Sequence, residues 1–408
     1  MQVVYPICCG IDVHAKMLVA CLRNNGQRET RTFSAMTDDL LRLRDWLVES
    51  NCTHVAIEST GVYWKPVFNI LEGSLEVVLV NPLHVKAISG HKTDIRDAER
   101  LADLLAHGLV RPSFIPPPEI RQLRELTRYR EGLTREQTST SNRVIKVLES
   151  GNIKLAQVAS DALGKSGRAM IAALVRGETD PAKLAGMACG KLKRKDSELR
   201  RALDGRLNDA QRFVLKEQAR RIEELEAALA QVNEQIDQAF ESRPKFAHCR
   251  ALLQTIPGIG QRVAEIIIAE IGVEVEANFP TDKHLASWCG LCPGNNASGG
   301  KRKSGRTRDG NTYLRSALVQ AAWAAHRAKN TYLSAQYRRL ARRINKKKAA
   351  IAVAHSLIVI AYYVLVRDRS YQELGGDYFD RQHVEQQRAY LLRRLEALGC
   401  QVTVEQNA

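Results

Sequence analysis

Four acidic residues, Asp12, Glu58, Asp94 and Asp97, have the types and spacing for chemistry. Asp12 sits in CGIDVHAK, inside an apolar run with strand character, and Glu58 ends a second such run, HVAIEST. Asp94 and Asp97 lie where a helical pattern begins, KTDIRDAERLADLLAHG, and their spacing puts both side chains on one helical face. A carboxylate at the end of a buried strand is costly unless it is paired or binds a metal. Adjacent acids repel, and a shared cation relieves the repulsion. Three elements each bringing a carboxylate to one point form a cage for hard divalent cations. With two ions about 3.5–4 Å apart, such a cage activates one oxygen and stabilises another across an in-line displacement. The plainer alternative is a set of surface acids, Asp94 capping its helix and Asp97 paired with Arg100. The strand-end positions of Asp12 and Glu58 favour the metal. His14 and Lys16 are explained by a solvated hairpin.

The elements that must position these acids follow from local pattern. Residues 3–34 read as three strands, VVYPICCGIDV, MLVACLRN and RETRTFSA, joined by hairpins around Lys16 and Asn24-Asn25-Gly26. An amphipathic helix, TDDLLRLRDWLVES, follows with Thr37 as its N-cap. Then come strand HVAIEST, a helix around YWKPVFNILEG, strand LEVVLVNP and two more helices. Three antiparallel strands followed by alternating helix and parallel strand is the order of a ribonuclease H-like sheet, with acids on the first strand, fourth strand and last helix. Beyond the Pro-rich boundary RPSFIPPPEI comes a long polar helix to about Glu149, then short helices over 150–207. Leu215, Ile222, Leu229 and Ile236 repeat every seven residues, with Leu225 and Val232 between them. That is a coiled coil or a long antiparallel hairpin, serving either oligomerisation or an intramolecular arm. The expected fold class is thus α/β plus all-α. The domains are 1–112, a helical linker region 113–207, a coiled coil 208–242, a mainly helical domain 243–370 and a polar tail 371–408.

The charge balance names the partner class. With 61 Lys and Arg against 45 Asp and Glu, the net charge of +16 points to a polyanion, most simply nucleic acid. Nine scattered cysteines fit reduced, cytoplasmic thiols, and the lone Cys289–Cys292 CxxC lacks the further ligands of a zinc site. No basic n-region opens the chain, so no signal peptide is expected. The apolar stretch 349–366 approaches spanning length, but its length and symmetric basic flanks favour a buried core helix over a membrane span.

Three C-terminal motifs suit a phosphodiester backbone. Ile256-Pro257-Gly258-Ile259-Gly260 reads as helix, tight turn, helix; Gly258 and Gly260 would let backbone N–H groups approach a phosphate, or simply make a tight turn. In CGLCPGNNASGGKRKSGRTRDGNTYLRSAL, Ser298 precedes two glycines and is surrounded by Lys301, Arg302, Lys303, Arg306 and Arg308, with Arg315 further on. Cations of this kind lower a hydroxyl pKa or stabilise a pentavalent phosphorane. The plainer reading is a phosphate-holding loop, and Ser304 is a rival nucleophile. In YRRLARRINKKKAA, Arg339, Arg342, Arg343, Lys346 and Lys347 wrap a helix suited to tracking phosphates, or form a solvated charged face.

GIDVHAK, AIESTGVYW, VNP and KTDIRDAERLA resemble the N-terminal RuvC-like DEDD domain of a class of insertion-sequence transposases. IPGIG and SWCGLCPGNNASGGKRKSGRTRDGNTYLR resemble their C-terminal transposase domain, so the resemblance spans about residues 5–365. Relatives include the pilin-inversion recombinase and the RNA-bridged recombinases. The resemblance implies that Asp12, Glu58, Asp94 and Asp97 are metal ligands for one or two Mg²⁺ (or Mn²⁺), and that Ser298 is the nucleophile. It implies a phosphoserine link to DNA, metal assistance from a partner subunit's acids and a structured non-coding guide RNA pairing with donor and target DNA. It also implies dimers and a synaptic tetramer, working in a bacterial cytoplasm at the nucleoid. Cys292 departs from the small or aliphatic residue that relatives often carry before the proline.

The expected function is a DNA transposase or site-specific recombinase. Its rivals are a metal-dependent junction nuclease using water, which needs only the acids, and a non-enzymatic nucleic-acid-binding relative.

Overall fold

The computed structural model describes residues 2–59, 61–81, 94–294, 296–298, 301–382 and 384–399, with the side chains of 296–298, 301–304, 382 and 385–387 excluded. Packing divides the chain into two units, Met1–Ile115 and Pro116–Ala408.

The first unit is built on a five-stranded mixed sheet of order β3-β2-β1-β4-β5. Its strands are β1 (Ile7–Val13), β2 (Met17–Asn24), β3 (Gln27–Ser34), β4 (His54–Glu58) and β5 (Glu76–Val80). β1, β2 and β3 pair antiparallel, whereas β4 and β5 add in parallel, as expected of a ribonuclease H-like sheet. Asn25 (φ 48°) and Gly26 (φ 96°) form the two-residue β2–β3 turn, whose left-handed backbone matches strand twist. One sheet face buries Cys9, Ile11, Val55 and Ile57 with α1 (Thr37–Glu49) and α2 (Trp64–Leu71). The other face carries Cys8 and Ala56 with α3 (Asp94–Ala106). One expectation is corrected: Thr37 is inside α1, and Met36 is the N-cap, without a side-chain cap bond. Asp39 instead reaches back to accept from the Ser34 N–H at 3.1 Å. Of the two helices expected after β5, the first falls on residues 82–93, outside the described residues.

The second unit begins with two 33-residue helices, α4 (Pro118–Ser150) and α6 (Asp209–Glu241); between them lie short helices including α5 (Lys165–Val175). Arg130 bonds Asn233, Gln137 bonds Glu226, and Ser150 bonds Gln211. As one number rises the other falls, so the pair is antiparallel. The heptad residues Leu215, Ile222, Leu225, Val232 and Ile236 are buried within this chain, and Leu229 is half-buried. A capping box between Asn208 and Gln211 starts α6.

The rest of the unit packs around α11 (Lys346–Val366), the one helix among the described residues long and apolar enough to cross a membrane. Its Val353, Ala354, Leu357, Ile358 and Ala361 are buried, and Tyr362 donates its hydroxyl to the Phe279 carbonyl. α7 (Pro244–Gln254), α9 (Thr312–Ala325) and α10 (Tyr332–Ala341) pack against it. The basic stretch expected on one helix is divided between the end of α10 and the start of α11, because Asn345 caps the Lys347 N–H and begins a new helix. The C-terminal region includes a helix over Val384–Ala397.

Candidate active site

Gly10 explains how the acids meet. A Cβ at Gly10 would overlap the Ala98 carbonyl oxygen and the Ala102 nitrogen, so α3 crosses β1 in backbone contact. Strand alternation puts Asp12 on the same face as Gly10. One turn before Ala98, Asp94 overhangs that face. On β4, Ala56 packs toward α3, so Glu58 shares its side. Gly10 pairs with Ala56 and Ile11 with Ile57, and continuing the register sets Glu58 beside Asp12.

The resulting cluster contains a carboxylate oxygen from Asp12, one from Asp94 and a ring nitrogen from His14, all within 4.8 Å of one another. His14 Nε2 is 3.2 Å from Asp12 Oδ2 and 3.5 Å from Asp94 Oδ1. Burial pushes the Asp12 carboxyl above its ordinary value; His14 pulls it down, and the Asp94 and Glu58 charges push it further up. A desolvated carboxylate repelled by two others is suited to a hard divalent cation, and on this electrostatic ground the residues fit one. Glu58 and Asp97 lie outside the 4.8 Å group, Glu58 acting on Asp12 through its charge. Sequence reasoning set His14 aside as a solvated hairpin residue. Its position two residues after Asp12, where the strand ends, was the available signal.

The serine motif has its own frame in the second unit. Ser298 ends β6 (Asn296–Ser298), paired antiparallel with β7 (Lys301–Ser304), so the segment expected as a loop is a two-stranded hairpin. The backbones of Ser298, Lys301, Arg302 and Lys303 lie on it; their side chains, and Gly299 and Gly300, fall outside the described residues. The hairpin base is pinned: Pro293 bridges Thr307, and the Gly294 N–H donates to the Arg306 carbonyl at 2.9 Å. Gly290 and Gly310 lie backbone to backbone, where either Cβ would collide. Arg306 and Arg308 are exposed beside the hairpin, and Arg315 donates to the Thr307 hydroxyl at 2.8 Å.

Beneath this base lies a network that sequence reasoning missed. Glu270, fully buried at the end of α8 (Gln261–Ile271), accepts two bonds from Arg128 at 2.8 Å and one from Asn311 Nδ2 at 2.6 Å, with Arg124 at 3.2 Å. Asn311 Oδ1 also accepts the Leu314 N–H, capping α9. Burial lowers the Arg124 guanidinium to about 10. One carboxylate thus ties the root of α4 to the start of the helix after the serine hairpin.

The remaining sites are placed separately. Gly258 (φ 91°) is held against α9, where a Cβ would overlap the Ala321 carbonyl, so close helix packing requires this glycine. Gly260 is exposed and begins α8 without a side-chain cap. Arg339 and Arg342 line a cleft of about 730 Å³ with Arg338, Phe379 and Tyr390, and Arg339 lies 5.2 Å over the Phe379 ring. Arg343, Lys346 and Lys347 are exposed nearby in sequence. The two lysines occupy the first turn of α11, the positive end of the helix dipole, with no acid to offset them.

The acid cluster and the mixed sheet define a candidate divalent-cation site on a ribonuclease H-like domain. A family model described as "Transposase" matches residues 9–153, and one described as "Transposase IS116/IS110/IS902 family" matches 250–338. The chain belongs to the IS110 family of transposases and is an enzyme of DNA recombination. It is 23% identical to a pilin gene-inverting protein of Moraxella bovis, over 89% of this chain and 97% of that one. It is 26% identical to a probable family 20 transposase of Pseudomonas aeruginosa, over 89% and 94%. An IS110 insertion-element protein of Streptomyces coelicolor is 26% identical, over 69% and 72%.

Proposed function

We infer that this transposase cuts and rejoins DNA at an insertion sequence through a covalent phosphoserine intermediate formed by Ser298. The observation that carries the reading is the meeting of the partly buried, desolvated Asp12 with Asp94, charged further by Glu58, in a chain that also holds a serine-glycine motif among cations. Asp12, Glu58, Asp94 and Asp97 would hold Mg²⁺, which supplies charge neutralisation at the phosphate and polarises its oxygens when bound. Ser298 Oγ bonds to phosphorus as one backbone P–O bond breaks; its proton passes through solvent to the departing DNA oxygen. Attack by a hydroxyl of another strand reverses the step and frees the serine. Lys301, Arg302, Lys303, Arg306, Arg308 and Arg315 would neutralise the phosphates, while Gly260 and the Arg339–Lys347 stretch hold the flanking backbone. The lysines at the positive end of α11 support this, since a polyanion offsets a placement that helix electrostatics alone disfavours.

On the motif resemblance, the reading extends to a structured guide RNA pairing with donor and target DNA, and to dimers joining in a synaptic tetramer. The proposed division is a RuvC-like domain over 1–112, the transposase domain with its serine over 243–370, and a helical region between.

The test traps protein on a cleaved DNA end. Wild-type protein with Mg²⁺ gives a denaturation-resistant adduct, and Ser298→Ala gives none while Ser304→Ala does. An adduct that survives Ser298→Ala sinks the nucleophile assignment. Free 5′-phosphate and 3′-hydroxyl ends without any adduct would establish the water-using nuclease instead.

A further inference from the structure

Residues 151–207 have no role in the reading above, yet they form a built structure. They join the far ends of α4 and α6 and share one core with the arm: Leu148, Ile153, Met170, Leu174, Leu199, Leu203 and Leu215. The neck is closed backbone to backbone. Arg206 N–H donates to the Gly151 carbonyl at 2.8 Å, and Lys154 N–H to that of Ala202 at 2.7 Å. A Cβ at Gly205 would overlap the Gly151 carbonyl oxygen. The head is therefore fixed to the arm rather than tethered.

One side of this head is a cleft of about 440 Å³ between the start of α5 and the turn Gly190–Lys195. Its walls are tied: the Cys189 N–H donates to the Ser166 hydroxyl at 2.9 Å, and Lys195 Nζ to the Val158 carbonyl at 3.1 Å. Lys165, Lys191 and Lys195 line it, with Asp161 as the acid present, and Lys193 and Arg194 stand on the same turn. All five cations are exposed. Ion pairs in and around the head use Lys154, Arg168, Lys183, Arg200 and Arg206 instead, so among the described residues these five pair with no carboxylate. Five unpaired like charges on about thirty residues repel one another, and a polyanion removes that repulsion.

We propose that this head is a second nucleic-acid contact, gripping the phosphate backbone of duplex DNA through Lys165, Lys191, Lys193, Arg194 and Lys195. Two observations select a duplex. No Phe, Trp or Tyr occurs between Tyr129 and Phe213, so the head has no platform for stacking single-stranded bases. The helix from Arg128, beneath the serine hairpin, to Ser150 rises about 33 Å. That is close to one turn of B-DNA, about 34–36 Å. A duplex lying along the arm therefore presents the same face at the root and at the head. Lysine and arginine charges directed at phosphates make the contact sequence-independent.

The proposal rests on DNA being the substrate, and its test reads binding in EDTA, independent of Ser298 chemistry. A 40-bp duplex is titrated by fluorescence anisotropy against full-length protein at several salt concentrations. The fivefold variant K165Q/K191Q/K193Q/R194Q/K195Q is expected to bind about 10-fold or more weaker at 0.1 M salt. Its log–log salt slope should fall by up to about 4. In parallel, the wild-type hydroxyl-radical footprint on a longer duplex should extend about one helical turn past the tract that the variant protects. Unchanged slope and footprint overturn the proposal; so does a variant that loses an RNA hairpin while keeping the duplex. If the variant misfolds, the wild-type footprint decides: a tract too short to reach the head overturns the proposal.

Discussion

At the scale of single residues, the acid cluster is a destabilised arrangement that a cation would relieve. Burial and two neighbouring carboxylates raise the Asp12 pKa, so its charged form costs the folded state free energy. A folded pKa above the unfolded one means that full stability is present below the ordinary carboxylate value and is lost as pH rises through the folded value. Asp12→Asn removes that cost. In EDTA at neutral pH it should be more stable than wild type by about 1 kcal/mol, the ordinary size of a single stabilising substitution. The difference should shrink as pH falls toward 4. Mg²⁺ should raise the melting temperature of wild-type protein, and the same variant should lose that rise. Calorimetry with and without Mg²⁺ at pH 7 and pH 4.5 reads both; a variant less stable than wild type in EDTA would contradict the account. The acids were visible in the sequence because charged residues at the ends of apolar runs are anomalous. The part played by His14 was signalled only by its place directly after β1, two residues from Asp12, which periodicity does not single out.

Elements place these residues, and glycines set the closest approaches. Gly10 lets α3 lie on β1, and that contact carries Asp94 over Asp12. Gly10→Ala should lift α3 from the sheet and cost about 1–3 kcal/mol through overpacking. It should also weaken the Mg²⁺-dependent rise in melting temperature, because the acids separate. Thermal melts of wild type and variant, with and without Mg²⁺, test this; an unchanged Mg²⁺ response would show that the helix crossing does not set the site. The strands and the Asn25-Gly26 turn were legible from alternation and turn chemistry. Gly258 was legible as a turn glycine, but its contact with α9 was not. Likewise, Glu270 reads as one acid in an apolar helix, and its three partners lie some 40 to 150 residues away in sequence.

On the scale of the whole molecule, a charge of +16 dominates encounters with DNA. Non-specific duplex binding should therefore fall steeply with salt, by about 10³ or more between 50 and 200 mM, as expected for six or more phosphate contacts. The slope should be the same for unrelated sequences. Anisotropy titrations with two scrambled duplexes check it, and a shallow slope would mean that the basic surfaces do not act together. The sequence by itself determined most of the strands and helices, though not the serine hairpin or the break in the basic helix, as well as where the acids and the serine motif fall, and that the partner is a polyanion. These depend on local periodicity and composition, which each segment carries whatever it packs against. Only the tertiary structure decided that His14 joins Asp12 and Asp94, and that the heptads pair within one chain. It also decided that Glu270 braces the serine hairpin, and that the basic turn at 190–195 faces Lys165 across a cleft. These depend on which faces meet across long stretches of chain, and a one-dimensional pattern shows that a face is apolar or charged without naming the face it finds.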